Sequence, residues 1–373
     1  MNATQTITPP VRTPRRGRLR SNWPAWVPYA AALWSLGYGI VALIWTLRGS
    51  GFPLGENDPD GHGSLVGNLS ADVGAPLFAA VALSGAGIAM LMARVREPAT
   101  AVPAWWRRTA IGFGWTVTTA LLVVLPDVRA LAVVGYLPMI IVKAPFDADV
   151  RASLAENVGA AHANHLAVIV GGLLWALATL VFTRRAAGAC TRCGRGRGQP
   201  AWADPHAAAR WGRWPVYIAA VIPALYAATR WTWVLGYPLG IDEEFHAQGT
   251  ATGDLWAGAW LASFGLVGTV LTLGLVRRWG EVFPGWVPRL GGRAVPVGLA
   301  VVPATIVAVL VFSGGTSMFL AASDQGGALE LTWENWAAIG PTLLWPVWGA
   351  ALGAATLAYY LRRRGQCSTC GRR

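Results

Sequence analysis

All four cysteines of this 373-residue sequence fall in two copies of one pattern, "CTRCGR" from Cys190 and "CSTCGR" from Cys367. C-x-x-C followed by glycine is the turn of a zinc knuckle, because thiolates are ligands that zinc prefers and glycine accepts the tight turn behind them. Two such turns brought together would supply Cys190, Cys193, Cys367 and Cys370 as a closed tetrahedral set. That predicts a structural zinc, since four thiolates leave no open position for catalysis. A redox dithiol is the first competing reading, though neither motif has the strand and helix context of a thioredoxin-like site. Unliganded thiols on loose tails are the second.

The other chemistry-bearing residues are few. After G-[FY]-P-L-G the chain twice carries acids and a histidine, as "ENDPDGH" (Glu56, Asp58, Asp60, His62) and "IDEEFH" (Asp242, Glu243, Glu244, His246). Oxygen ligands with an imidazole suit a divalent cation, or a vestibule for cationic substrates if the two loops meet. Ordinary solvated loops are the alternative. Arg230 lies well inside an apolar run, where a charge costs at least a few kcal/mol. Buried, it would pair with Asp127, Asp242, Glu243 or Asp324 and orient an anionic substrate group; otherwise its side chain snorkels to the surface. His162 and His165, spaced by three, share a helix face and could hold a metal or relay protons.

These residues need a scaffold, and composition says what kind. The chain is 54% hydrophobic and 13% charged, with mean hydropathy +0.43, too apolar for a soluble fold. Apolar runs long enough to cross a bilayer lie near 23–47, 74–94, 109–126, 163–183, 214–235, 255–276, 294–314 and 338–361. The expected architecture is an all-α polytopic membrane protein with eight crossings. Arginine-rich segments between the runs, and the basic tail 1–22, are assigned to the cytoplasm by the positive-inside rule. Both termini then lie inside. A ninth crossing would break that pattern, so 129–143 is expected to be re-entrant or to lie on the outer surface. The arginine-for-lysine, alanine- and tryptophan-rich bias suggests a bacterial inner membrane, with the first run retained as an anchor.

The spans also repeat. "PYAAALWSLGYGIVALIWTL" from Pro28 aligns with "PVYIAAVIPALYAATRWTWVL" from Pro215, pairing Tyr38 with Tyr226, Ala42 with Arg230 and Trp45 with Trp233. Each is followed by G-[FY]-P-L-G, then by "VPAW" or "FPGW", then by a cysteine pair. Two four-span copies, 23–196 and 211–373, are expected around a linker at 197–210. An even number of spans per copy relates them by an axis along the membrane normal.

Several functions are excluded or disfavoured. The only lysine, Lys143, is followed by alanine, so the chain has no P-loop for ATP, and H-E-x-x-H and G-x-S-x-G are missing. The net charge of +12 sits beside spans and suits lipid headgroups rather than nucleic acid. Gly349 and Gly353 form a G-x-x-x-G suited to close helix packing. The design points to a transporter or permease for an unknown small molecule. An enzyme acting on lipid or isoprenoid substrates at the outer face, or a structural or resistance protein, are the alternatives.

Overall fold

A computed structural model describes residues 22–58, 64–95, 102–148, 150–152, 159–196, 200–323 and 331–372. The first half contains α1 (Trp23–Arg48), α2 (Ala71–Arg94), α3 (Ala104–Thr119) prolonged by a π turn (Ala120–Val124), α4 (Val128–Lys143) and α5 (Ala160–Ala186). The second contains α6 (Pro205–Trp211), α7 (Arg213–Val234), α8 (Glu243–Thr252), α9 (Asp254–Gly274), α10 (Val297–Ser323), α11 (Trp336–Leu343) and α12 (Trp345–Arg363). Among the described residues no strand forms, and a single bridge pairs Val282 with Ala294. The protein is an all-α polytopic membrane protein.

Among the described residues six helical stretches are long and apolar enough to cross a membrane, α11 and α12 together forming one of them, and a seventh span results if α3 and α4 count as one. α7, at the run 214–235 expected to cross, has 22 residues, roughly 33 Å, but is not among these candidate spans. Arg230 and its tryptophans dilute its apolar character. Large side chains face outward, with Leu33 and Leu47 of α1 72% and 78% exposed, as lipid contact requires.

Within the first half, α1 packs along α2, and α3 along α5; within the second, α7 packs along α9, and α10 along α12. Each half has its own buried apolar cluster, around Trp175 and Phe182 in the first and around Val216 and Tyr359 in the second. Gly349 explains the closeness of α12 to α10. A Cβ there would lie 2.5 Å from the Phe312 nitrogen, whereas one at Gly353 would meet only Ala308, at 3.9 Å.

The arginines between spans also finish the helices. Arg185 donates to the Met92, Val95 and Pro24 carbonyls, and Arg363 to those of Glu281 and Val295. Guanidinium groups thus bond carbonyls at the ends of α1 and α2 and in the loop between α9 and α10. One face of the bundle is rich in arginine as a result.

The segment at 129–143 is a helix, and with α3 it makes the bent pair of a broken span or a re-entrant loop. α4 is bent by 65° from α3 and packs against α10 and α5. The bend follows from Pro126, which cannot continue a helix, and its freed backbone groups find partners across the halves. Ser313 Oγ donates to the Pro126 carbonyl at 2.6 Å, and Ser317 Oγ accepts from the Val128 N–H at 3.1 Å. Irregular backbone at membrane depth survives only where protein covers it in this way.

Candidate functional site

On the arginine-rich face the two cysteine motifs fold into identical hairpins. Cys190 N–H donates to the Arg195 carbonyl and Gly194 N–H to the Cys190 carbonyl; Cys367, Arg372 and Gly371 repeat the arrangement. Gly194 and Gly371 sit at φ 75° and 68°, where a Cβ is costly. The arginine ending each motif crosses to the other hairpin. Arg195 Nη1 donates to the Arg372 carbonyl at 3.0 Å, and Arg372 Nη1 to the Arg195 carbonyl at 3.2 Å.

This exchange sets Cys190 Sγ 4.0 Å from Cys367 Sγ and Cys193 Sγ 3.6 Å from Cys370 Sγ, with all four sulfurs within 4.8 Å of one another. Zn–S bonds of about 2.3 Å imply sulfur edges of about 3.8 Å in a tetrahedron. The four cysteines therefore lie close enough to bind a metal ion. Burial pushes the Cys193 thiol up to about 12. Cys367 is also desolvated, but N–H groups of Thr369 and Cys370 and the Cys193 and Cys370 thiols bring it down to about 6. The Cys367 thiolate thus forms readily, while a metal would displace the proton of Cys193.

At the other end of α3, roughly 30 Å away along the helix, the break before α4 carries a buried ionic cluster. Asp127 caps α4 by accepting from the Arg129 N–H. The Arg129 guanidinium binds both Asp127, Nε to Oδ2 at 3.0 Å, and Asp58, Nη1 to Oδ1 at 2.9 Å. The carboxylate side chains are each 4% exposed. His165, 2% exposed on α5, places Nε2 3.7 Å from Asp127 Oδ2. Neither ring nitrogen has a hydrogen bond among the described residues, nor does Nδ2 of the adjacent Asn164, whose Oδ1 accepts from the Tyr38 hydroxyl. With neutral imidazole the four groups carry a formal charge of −1.

Arg230 is buried, but not beside an acid as expected. Its Nη1 donates to the Ala337 carbonyl and to Thr229 Oγ1, and its Nη2 to the Ala338 carbonyl. The guanidinium lies 4.4 Å from the Tyr226 ring centre and 4.1 Å from that of Trp233. Asp127, Asp242 and Glu243 are not its ion-pair partners, and Asp324 lies outside the described residues. In the first half the aligned rings, Tyr38 and Trp45, meet edge-on at 6.0 Å, with Ala42 in place of Arg230. The extra side chain is accommodated between two aromatic faces, which attract cations.

The acid loops after G-[FY]-P-L-G start alike and then diverge. Gly51, Gly55, Gly236 and Gly240 all have positive φ. Beyond them Asp58 turns inward to Arg129, while Asp242 caps α8 and leaves Glu243 and Glu244 exposed. His246 Nε2 lies 2.9 Å from the Trp233 carbonyl, tying α8 to α7. Asp60 and His62 lie outside the described residues. His162 is half-buried one turn before His165. Arg129 was not legible in the sequence as a site residue; its only local signal is the D-x-R at a helix start.

No known family model matches the chain, and neither curated proteins nor solved structures are similar to it. Fold and site define a multi-pass helical protein of the lipid bilayer.

Proposed function

We propose that this chain is a membrane transporter whose Asp58–Arg129–Asp127–His165 cluster binds and releases a proton. The observation that carries this reading is His165, buried 3.7 Å from Asp127 with ring nitrogens that make no hydrogen bond among the described residues, beside two carboxylates bonded by one guanidinium. A proton on the imidazole pairs it with Asp127 and brings the cluster to neutrality. Without that proton a net charge remains in a buried site, which is costly. The same break is bonded to α10 through Ser313 and Ser317. Protonation therefore bears on the contact between the halves, where a coupling device must act.

The halves, 23–196 and 211–373, are read here as copies related by an axis along the membrane normal. A structural zinc on Cys190, Cys193, Cys367 and Cys370 would clamp them on the arginine-rich face, taken as cytoplasmic by the positive-inside rule. Between them runs a cleft of about 650 Å³, from Arg184 and Tyr360 beneath the hairpins to Val123 and Phe312 beside the break. Its mainly apolar lining favours an amphipathic cargo.

The test loads proteoliposomes with the chain, imposes a pH gradient, offers a cell extract, and reads retained compounds by mass spectrometry. At least one compound should accumulate with the wild type and not with Asp127→Asn. Equal retention by both, with both variants folded, would overturn the proposal.

A further inference from the structure

On the face opposite the cysteines, the second half holds a separate cavity of about 380 Å³ among α7, α8, α9 and α11, large enough for a small metabolite. Arg230 forms its floor. Arg230 is 9% exposed, and no carboxylate among the described residues pairs with its guanidinium. Guanidinium has five N–H donors, and its bonds to Thr229, Ala337 and Ala338 leave donors over. A buried cation held by carbonyls, a hydroxyl and ring faces, with no opposite charge, gains strongly from an anionic group placed against it.

The rim carries the opposite charge. Asp254, the first residue of α9, is exposed and lines the same cavity, its Oδ2 held by the Thr252 hydroxyl at 2.6 Å. A simple anion would meet this carboxylate on entry, and a simple cation would meet Arg230 at the floor. The wall between them is Phe245 and Leu255, with the Gln248 amide as a further polar group. Gly258 adds room, since a Cβ there would only touch Arg230 Cδ, at 3.6 Å.

We propose that this cavity binds a small zwitterion, with the carboxylate on Arg230, the ammonium at Asp254 and an apolar body against Phe245 and Leu255. The site lies apart from the proton cluster, so neither proposal depends on the other.

The experiment measures binding to the full chain in detergent by isothermal titration. The probes are L-leucine, γ-aminobutyrate, isoamylamine and 4-methylpentanoate. At least one of the two zwitterions should bind at least about tenfold more tightly than the amine and the acid, the scale of one charge-assisted hydrogen bond. Arg230→Gln should weaken that binding by a similar factor. Gly258→Leu, which fills the cavity but keeps the arginine, should do the same, while Gly258→Ala retains affinity. Asp254→Asn, at an exposed position, should bring the zwitterion and the acid to within about twofold. The proposal is overturned if neither zwitterion binds, if the amine or the acid binds equally well, or if Gly258→Leu leaves the affinity unchanged.

Discussion

Replacing Arg129 with methionine removes one guanidinium and keeps most of its volume. Two carboxylates, each with a side chain 4% exposed, would then lose the cation that bonds them both. The remaining formal charge falls from −1 to −2 with neutral His165. Removing one partner of a buried ion pair costs about 3–5 kcal/mol, because it leaves the other charge desolvated and unpaired. Here one arginine serves two acids, so the upper part of that range applies. Equilibrium unfolding in mixed micelles, followed by tryptophan fluorescence, reads the loss directly. Neutralising the acids as well, in Asp58→Asn/Asp127→Asn/Arg129→Met, removes the uncompensated charge and should recover most of the stability, since whole buried ion sets can be replaced at little net cost. If Arg129→Met lies within about 1 kcal/mol of wild type, or the triple variant is less stable than the single, water reaches the cluster and the electrostatic reasoning fails.

Purified chain should carry one zinc, measured by plasma mass spectrometry, and Cys193→Ser should lose it. Cys367 is lowered from 9.0 to about 6, so its thiolate favours the fold fully above about 9 and that contribution is lost as pH falls through about 6; zinc should therefore leave on acidification to about 5, read by a chromophoric chelator. Gly349→Ala should force α10 and α12 apart and cost about 1–3 kcal/mol, while Gly353→Ala should change unfolding by less than about 0.5 kcal/mol. Gly55 has φ 68°, and a Cβ there would overlap the Leu69 carbonyl, so Gly55→Ala should displace the Asp58 loop and destabilise by at least about 1 kcal/mol in the same unfolding assay.

The cysteine hairpins were legible because their chemistry is local: spacing, glycine and arginine sit within six residues, and the motif's recurrence advertises that the two belong together. The role of the motif arginine was not, because Arg195 acts on carbonyls 169 to 177 positions away. Arg230 announced its burial by sitting in an apolar run, but carbonyls and aromatic faces leave no signature in charge spacing, so a carboxylate partner was the natural expectation. The ionic cluster was hidden for a different reason. Asp58 and Arg129 lie 71 residues apart and meet only because Pro126 breaks the third span and folds α4 back against α10. Apolar length registers spans well and breaks poorly, so the packing of 129–143 against α5 and α10 leaves no mark in the sequence.

The central claim is that one proton enters the Asp58–Arg129–Asp127–His165 cluster because it completes the charge. Charge displacement after a rapid pH step, recorded from proteoliposomes on a solid support, measures this without knowledge of the cargo. Wild-type protein should give a transient that saturates with a single apparent pKa. Asp127→Asn already brings the four groups to neutrality with an unprotonated imidazole, so it should abolish the transient, and Arg230→Gln, in the other half, should leave it intact. A transient of wild-type size in Asp127→Asn would contradict the account.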